Sequence, residues 1–188
     1  ELDVTRLDLV QTSIDIATAR RDVTEFNKQR NDFDECLSGI NWAGADTAIA
    51  SAVSGCTAHI PVMRQSVVAM EDRYGIELEK LQGYLTLLQE QWEASTAYYV
   101  AISESNYMEA NQHDEVFVAR KREISELDLI DVFNEFYEES LNPMIDRFGE
   151  LSEDETVKKH VSYTHLRAHE TVLDLVCRLL LEKHKCID

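Results

Sequence analysis

Between positions 46 and 95 the chain reads DTAIASAVSGCTAHIPVMRQSVVAMEDRYGIELEKLQGYLTLLQEQWEAS, with apolar residues recurring at every third or fourth position. The positions that share this spacing are Ile49, Ala52, Cys56, Ile60, Met63, Val67, Met70, Tyr74, Leu78, Leu81, Leu85, Leu88 and Trp92. Such a sustained pattern is typical of a helix that packs along a partner helix in a shallow left-handed supercoil. It predicts one long helix from about Ala45 to Ser103. Because proline lacks a backbone donor and clashes with the preceding turn, Pro61 predicts a kink at residues 57–60.

A first helix is predicted upstream, from about Val4 to Ser38. Its apolar residues step by three, four or seven and form one face, made of Ile16, Ala19, Val23, Phe26, Phe33, Leu37 and Ile40. Gly39 ends this helix, since glycine is favoured just after a helix terminus, and a short turn from Asn41 to Gly44 follows. The first and second helices are therefore expected to form an antiparallel hairpin.

The far half of the second helix has no partner within this hairpin, because the first helix is much shorter. Its apolar residues must pack against later segments or against another protein. We predict a partner-binding seam at Leu78, Leu81, Leu85, Leu88 and Trp92.

The remaining chain predicts further helix. Residues 103–114 are weakly patterned and indicate a turn or loop. A third helix is expected from about Glu115 to Leu141, followed by a break at Asn142-Pro143 and a short helix reaching Leu151. The expected fold class is all-α: a long antiparallel helical hairpin with a kinked second helix, extended by one or two further helices into an elongated rod.

The charge of the chain restricts its partners. Lys and Arg total 18 against 36 Asp and Glu, which gives a net charge of −18. Phosphate contacts need clustered cations, so nucleic acid and anionic membrane surfaces are disfavoured as partners. No stretch approaches the roughly 20 apolar residues of a membrane-spanning helix, and no Sec-type signal peptide is recognisable at the N-terminus.

Signatures of catalysis are missing from the sequence, which has neither a Gly-rich phosphate loop nor a G-x-S-x-G motif. Before position 161 the histidines are His59, His113 and His160, too dispersed to indicate a set of metal ligands. We therefore expect no enzyme, and no catalytic, cofactor-binding or metal-binding residues. Cys36 and Cys56 are interpreted as small apolar packing residues, not as part of a disulfide framework or of a redox or metal site.

The C-terminal residues resemble a translated sequencing adapter. The run VSYTHLRAHET at 161–171 matches the in-frame translation of a transposase-type adapter, and DLVCRLLLEK at 174–183 matches its primer end. We interpret residues 161–188 as a non-native read-through tail and leave them out of functional reasoning. The alternative is a zinc site, for which the tail offers His165, His169, Cys177, His184 and Cys186.

The turn of the predicted hairpin contains Trp42 and Gly44, in an arrangement that resembles the WXG class of type VII secretion substrates. The first helix opens with LDV, Ile49 follows the turn, and His59 and Pro61 come later in the run HIP. Together with the long second helix, these features resemble the LXG domain of type VII-secreted polymorphic toxins. The likeness takes in residues 1–115 as the helical hairpin and, more loosely, 116–160 as a C-terminal helical part. The family motif has Leu where this chain has Trp42.

The resemblance implies a targeting and export module that binds small α-helical WXG-like partner proteins and the secretion machinery. Such a module is cytoplasmic before export and is then secreted or held at the cell surface, by a route that needs no signal peptide. A toxin domain follows in this family, so the chain is expected to be truncated before its toxin domain. Two alternatives stay open: a structural coiled-coil or phage virion protein, which would self-associate, and a cytoplasmic helical adaptor or immunity protein, which would stay inside the cell.

Overall fold

The computed structural model describes residues 2–127 and 129–153, and these residues are helical with short connections. Their order is α1 (Leu2–Ser38), α2 (Asp46–Thr57), α3 (His59–Tyr74), α4 (Glu79–Ser103), α5 (Tyr107–Glu126), α6 (Leu129–Phe136), a π-helical turn (Tyr137–Leu141) and α7 (Asn142–Glu153). No strand occurs within the described ranges, and the predicted all-α fold class is confirmed. None of these helices combines the length and the apolar character that crossing a bilayer requires.

The chain divides into two compact units. In the smaller unit, residues 2–18 of α1 lie with α7, and Arg147 of α7 is 3.7 Å from the Asp8 carboxylate. The larger unit runs from Ala19 to Leu141 and contains the rest of α1 and all of α2 to α6. The candidate functional residues fall in this larger unit.

The predicted antiparallel hairpin is present in the larger unit, where the second half of α1 packs against α2 and α3. Three cross-links follow one another along it. Cys36 is joined to Cys56, the Ser66 hydroxyl donates to Gln29 Oε1 at 2.9 Å, and the Tyr74 hydroxyl donates to Asp22 Oδ2 at 2.8 Å. The apolar face of α1 supplies Phe26 and Phe33 to the core, both at most 1% exposed. Opposite them, the buried residues of α2 and α3 are Ile49, Val53, Ile60, Met63, Val67 and Met70.

The distortion predicted before Pro61 is present as a one-residue interruption, in which Ala58 keeps right-handed helical dihedrals (φ −61°, ψ −18°). α2 ends at Thr57 and α3 begins at His59, with Ala58 between them. Pro61 thus lies in the first turn of α3, where its missing N–H costs no intrahelical hydrogen bond. The sequence therefore placed the distortion correctly, at residues 57–60.

The prediction of one helix from about Ala45 to Ser103 is wrong beyond Tyr74. Gly75 ends α3 in the left-handed conformation, with φ of +65°, and its N–H donates to Glu71 O at 2.8 Å. The Glu71 carboxylate then accepts hydrogen bonds from Leu78 N and Gln82 Nε2. A glycine C-cap and a carboxylate therefore stabilise a reversal of the chain at this point. α4 runs back along α2 and α3, so that Arg64 donates to Gln82, Thr86 and Gln89.

The loop predicted at residues 103–114 is also wrong for most of its length. The chain turns at residues 104–106 only, and α5 begins at Tyr107 instead of near Glu115. Asn106 explains the earlier start, because its side-chain oxygen accepts from Glu109 N while its amide donates to the Glu109 carboxylate. This cap satisfies one backbone donor at the first turn of α5, the Glu109 N–H.

The third predicted helix, about Glu115 to Leu141, is two helices and a π-helical turn. α5 ends at Glu126, α6 starts at Leu129, and Tyr137–Leu141 forms the π-helical turn. The break predicted at Asn142-Pro143 is the first residue pair of α7, which follows that turn without a loop. A proline in the first turn of a helix is compatible with helix, so it marks a start here and not a gap.

Candidate functional site

The Trp42 turn joins α1 to α2 at one end of the larger unit. Gly39 closes α1 by donating its N–H to Glu35 O at 3.1 Å. Asn41 then organises the turn, because its side-chain oxygen accepts from Ala43 N at 3.2 Å and its carbonyl accepts from Gly44 N at 3.0 Å. A Cβ at Gly44 would lie only 3.1 Å from Asn41 O, so a glycine lets this turn close tightly. The close approach of Asn41 O thus explains why a glycine occupies position 44 of the Trp-x-Gly motif.

Trp42 is largely accessible, with 45% of the residue exposed. Its ring lies beside Tyr99 of α4, at a centroid distance of 6.1 Å, and Tyr99 in turn contacts Tyr98 at 5.1 Å. Burial raises the pKa of Tyr99, and the neighbouring Tyr98 and Asp46 raise it further. The turn therefore presents an aromatic surface that belongs to both α4 and the hairpin. Exposed aromatic side chains of this kind are typical of surfaces that bind protein partners.

Cys36 and Cys56 form a disulfide, which corrects their interpretation as packing thiols. The bond joins the last turns of α1 and α2, with the Cα atoms 5.6 Å apart and a sequence separation of 20. It closes the Trp42 turn covalently. Sequence spacing carried no sign of this pairing, since it depends on the two cysteines facing each other across the hairpin.

The other residues of the motif do not join Trp42 in one site. Ile49 is 3% exposed and belongs to the hairpin core. His59 and Pro61 lie past the other end of α2, whose 12 residues span roughly 18 Å. His59 is half-buried and Pro61 is exposed at the start of α3. These three residues therefore lie at separate places along the hairpin.

The predicted partner-binding seam is inside the protein. Leu78, Leu81 and Leu85 are fully buried and Leu88 is 7% exposed. The ring of Trp92 is held between Phe33 of α1 at 6.1 Å and Phe117 of α5 at 5.7 Å. The chain's own helices cover these positions because the reversal at Gly75 folds α4 back into the unit. The four leucines of the predicted seam are therefore corrected to core, and Trp92 is half-buried between Phe33 and Phe117.

A groove between α2 and α5, with α4 as its floor, is the surface that sequence reasoning missed. We call it the α2/α5 groove, and its lining residues are Ser54, Thr57, Glu93, Thr96, Ala97, Val100, Ala101, Glu104, Glu109 and His113. Every charged residue among them is acidic apart from His113. One signal was readable in the sequence: no Lys or Arg occurs at residues 31–63 or 81–119. The fold brings these two cation-free segments together.

No group of three or more His, Cys, Asp or Glu side chains in residues 2–127 and 129–153 is arranged to hold a metal ion. The alternative zinc ligands, His165, His169, Cys177, His184 and Cys186, lie outside the described residues.

Comparison with protein-family models, with curated proteins and with solved structures finds no match for this chain. Three features of the larger unit bear on its function. These are the exposed Trp42 turn, the disulfide beneath it and the α2/α5 groove beside it.

Proposed function

We propose that this chain is the targeting module of an exported toxin, resembling the LXG domain, and that it binds small α-helical partner proteins on the way to a type VII secretion system. The observation that carries the proposal is the Trp42-Ala43-Gly44 turn. It connects two antiparallel helices and leaves Trp42 45% exposed on Tyr99. Trp42 lies in a cluster of aromatic rings with Tyr99 and Tyr98, and aromatic side chains are enriched at surfaces that bind protein partners.

The disulfide supports the export part of this proposal. Disulfide bonds persist in oxidising surroundings and are rare in the cytosol of most organisms. The Cys36–Cys56 bond therefore favours a protein that leaves the cytoplasm over the alternative of a cytoplasmic adaptor or immunity protein. It lies directly below the proposed recognition turn, so oxidation after export would fix that turn in its folded arrangement.

The test is a secretion assay with the full chain carrying an epitope tag, in a bacterium that has a type VII system and in its secretion-deficient derivative. We expect the tagged chain in the medium of the first strain only, together with a small helical protein that co-purifies from the cells. Trp42→Ala is expected to reduce export and co-purification. Val68→Ala is the matched control, since Val68 is 44% exposed on α3 and away from the turn. Retention of the unaltered chain inside both strains would refute the targeting role.

The proposal also includes a longer native protein. We expect native DNA to depart from the codons of residues 161–183 and to continue in frame into a separate C-terminal domain. Sequencing the locus through and beyond codon 160 measures this directly. If native DNA encodes residues 161–183, the adapter interpretation is wrong and the His and Cys residues of that segment return as candidate zinc ligands.

A further inference from the structure

We propose that the α2/α5 groove binds an amphipathic helix whose polar face is rich in Lys and Arg, supplied by a partner protein. This inference rests on the proposed function, because it names the chemistry of the partner that the targeting module recognises. Partner binding would then occur at the α2/α5 groove and not at the predicted leucine seam, whose leucines are buried.

The floor and one wall of the groove suit the close approach of a helix. Ala97 and Ala101 contribute small side chains from α4, and α2 contributes Ser54 and Thr57. Helices pack at interaxial distances of about 8–10 Å, and small residues at the contact allow the shorter end of that range. Val100, 42% exposed, supplies the apolar surface that the greasy face of an incoming helix would cover.

The charges around this floor select a cationic partner. Glu93, Glu104 and Glu109 line the groove and are all exposed. Within the described residues, no Lys or Arg lies at ion-pair distance from any of the three, and Glu109 faces His113 at 3.7 Å. A groove lined by charges of one sign attracts ligands of the opposite sign and raises their local concentration, so these carboxylates favour a cationic ligand. The same carboxylates would repel a nucleic acid or an anionic lipid surface.

The spacing of the carboxylates sets the size of the partner. Eleven positions separate Glu93 from Glu104 along α4, which corresponds to roughly 16 Å of helix. A bound helix of about three turns spans this distance, so two of its basic residues should lie about three turns apart. The acidic stretch ends towards Arg120, which is 2.6 Å from Glu90 and also pairs with Glu123. Basic side chains of the partner are therefore expected between Glu93 and the turn that joins α4 to α5, and not beyond Glu93 towards Glu90 and Arg120.

The first measurement is the binding of a fluorescent 18-residue amphipathic Leu/Lys helix of roughly five turns to the full 188-residue chain, followed by fluorescence anisotropy. A scrambled peptide of the same composition keeps the charge and loses the apolar face, and a Leu/Glu peptide reverses the charge. We expect the Leu/Lys helix to bind at least about tenfold more tightly than the scrambled peptide, and binding to weaken as salt is raised. Equal binding of the helix and the scrambled peptide would overturn the proposal.

The second measurement locates the site. Glu93→Lys with Glu104→Lys is expected to weaken binding by at least about tenfold, by removing two attractions and adding two repulsions. Glu138→Lys with Glu139→Lys is the matched control, because both residues are exposed on the π-helical turn and the net charge changes equally. Equal weakening by the two double variants would mean that net charge alone attracts the peptide, and the groove would be excluded.

A footprint on the unaltered protein makes the test independent of how the variants fold. Carbodiimide labelling of carboxylates, read by mass spectrometry, is expected to show Glu93 and Glu104 protected by the Leu/Lys helix and Glu138 unprotected. Protection that is absent or uniform contradicts the proposal. The outcome is separable from the secretion assay: export that depends on Trp42 without peptide binding refutes the groove alone, and peptide binding without export refutes the targeting role alone.

Discussion

Reduction of the Cys36–Cys56 disulfide is expected to destabilise the unit Ala19–Leu141 by about 3 kcal/mol. The magnitude follows from the loop that the bond closes, since the two cysteines are 20 positions apart in sequence. In the chain-entropy treatment, a cross-link of this span lowers the entropy of the unfolded chain by about 11 cal/mol/K, or about 3 kcal/mol near room temperature. Reduction returns that freedom to the unfolded state.

Guanidinium unfolding followed by tryptophan fluorescence measures this change in the relevant unit. Both tryptophans of the protein, Trp42 and Trp92, lie between residues 19 and 141. A loss of about 3 kcal/mol corresponds to a fall of about 0.5–1.5 M in the guanidinium midpoint on adding a reductant. Replacing Cys177 and Cys186 with Ala prevents thiol exchange during the experiment.

The matched control is Cys36→Ala with Cys56→Ala. Alanine avoids burying a new hydroxyl at position 56, where the cysteine is only 2% exposed. This double variant should unfold at the same guanidinium concentration with and without reductant, close to the midpoint of the reduced parent. Coincident curves for the oxidised and reduced parent, or free thiols at positions 36 and 56 in a non-reducing digest, would refute the reasoning.

Three further predictions concern single side chains. Gly75→Ala should lower the free energy of unfolding by about 1–2 kcal/mol, because φ at this position is +65°. Gly83→Ala should raise the free energy of unfolding by up to about 1 kcal/mol in the same denaturation assay, because Gly83 lies within α4 and a Cβ there would meet no other atom within 4 Å. Equal effects at the two glycines would contradict the left-handed cap. Phe26→Ala should lower the free energy of unfolding by about 3–5 kcal/mol, because Phe26 is buried in the core beside Phe133. Trp42→Ala should lower it by less than half of that amount, and a larger loss would mean that the Trp42 ring is buried. Burial and then the Asp22 hydrogen bond raise the pKa of Tyr74 to about 12. The folded state thus keeps a proton that the unfolded chain releases, so stability should fall as pH rises from about 10 to about 12. Tyr74→Phe should lessen that fall in pH-dependent denaturation, and an unchanged slope would exclude Tyr74 as its source.

The hairpin was predictable because its signals are local. The apolar face of α1 repeats at helical spacing, and Gly39 follows the last helical residue, so the position of Ser38 as the helix end was correct. The distortion before Pro61 was likewise predictable from one residue, because proline disturbs the helical turn that precedes it. These elements bury one face only, and the sequence pattern shows which face.

The reversal at Gly75 was missed because the apolar pattern continues through it. Tyr74 and Leu78 are four positions apart, like many pairs in an unbroken helix, and Leu78 remains fully buried after the turn. The chain does carry stop signals, with Arg73 in the last turn and Gly75 just beyond. The Glu71 carboxylate also stabilises the reversal, because it accepts from Leu78 N on the far side of the turn, and that contact is not visible in spacing.

The candidate site was only partly predictable for the same reason. The Trp42 turn was placed correctly, since its residues are adjacent in sequence. The disulfide and the α2/α5 groove depend on helices that are distant in sequence becoming neighbours, as Ser54 and Val100 do. The sequence shows that residues 31–63 and 81–119 contain no Lys or Arg. It does not show that the fold places both segments on one surface, which is what makes that surface acidic.

The three cross-links of the hairpin restrict where this protein can gain or lose residues in evolution. Seven positions separate Cys36 from Gln29 on α1, and ten separate their partners Cys56 and Ser66 on α2 and α3. Deleting one residue from α1 between Gln29 and Cys36 would rotate one cross-link by about 100° relative to the other. Residues 39–45 lie inside the disulfide loop and carry none of these links. We therefore expect related chains to vary in length in the turn and to conserve length along the paired helices.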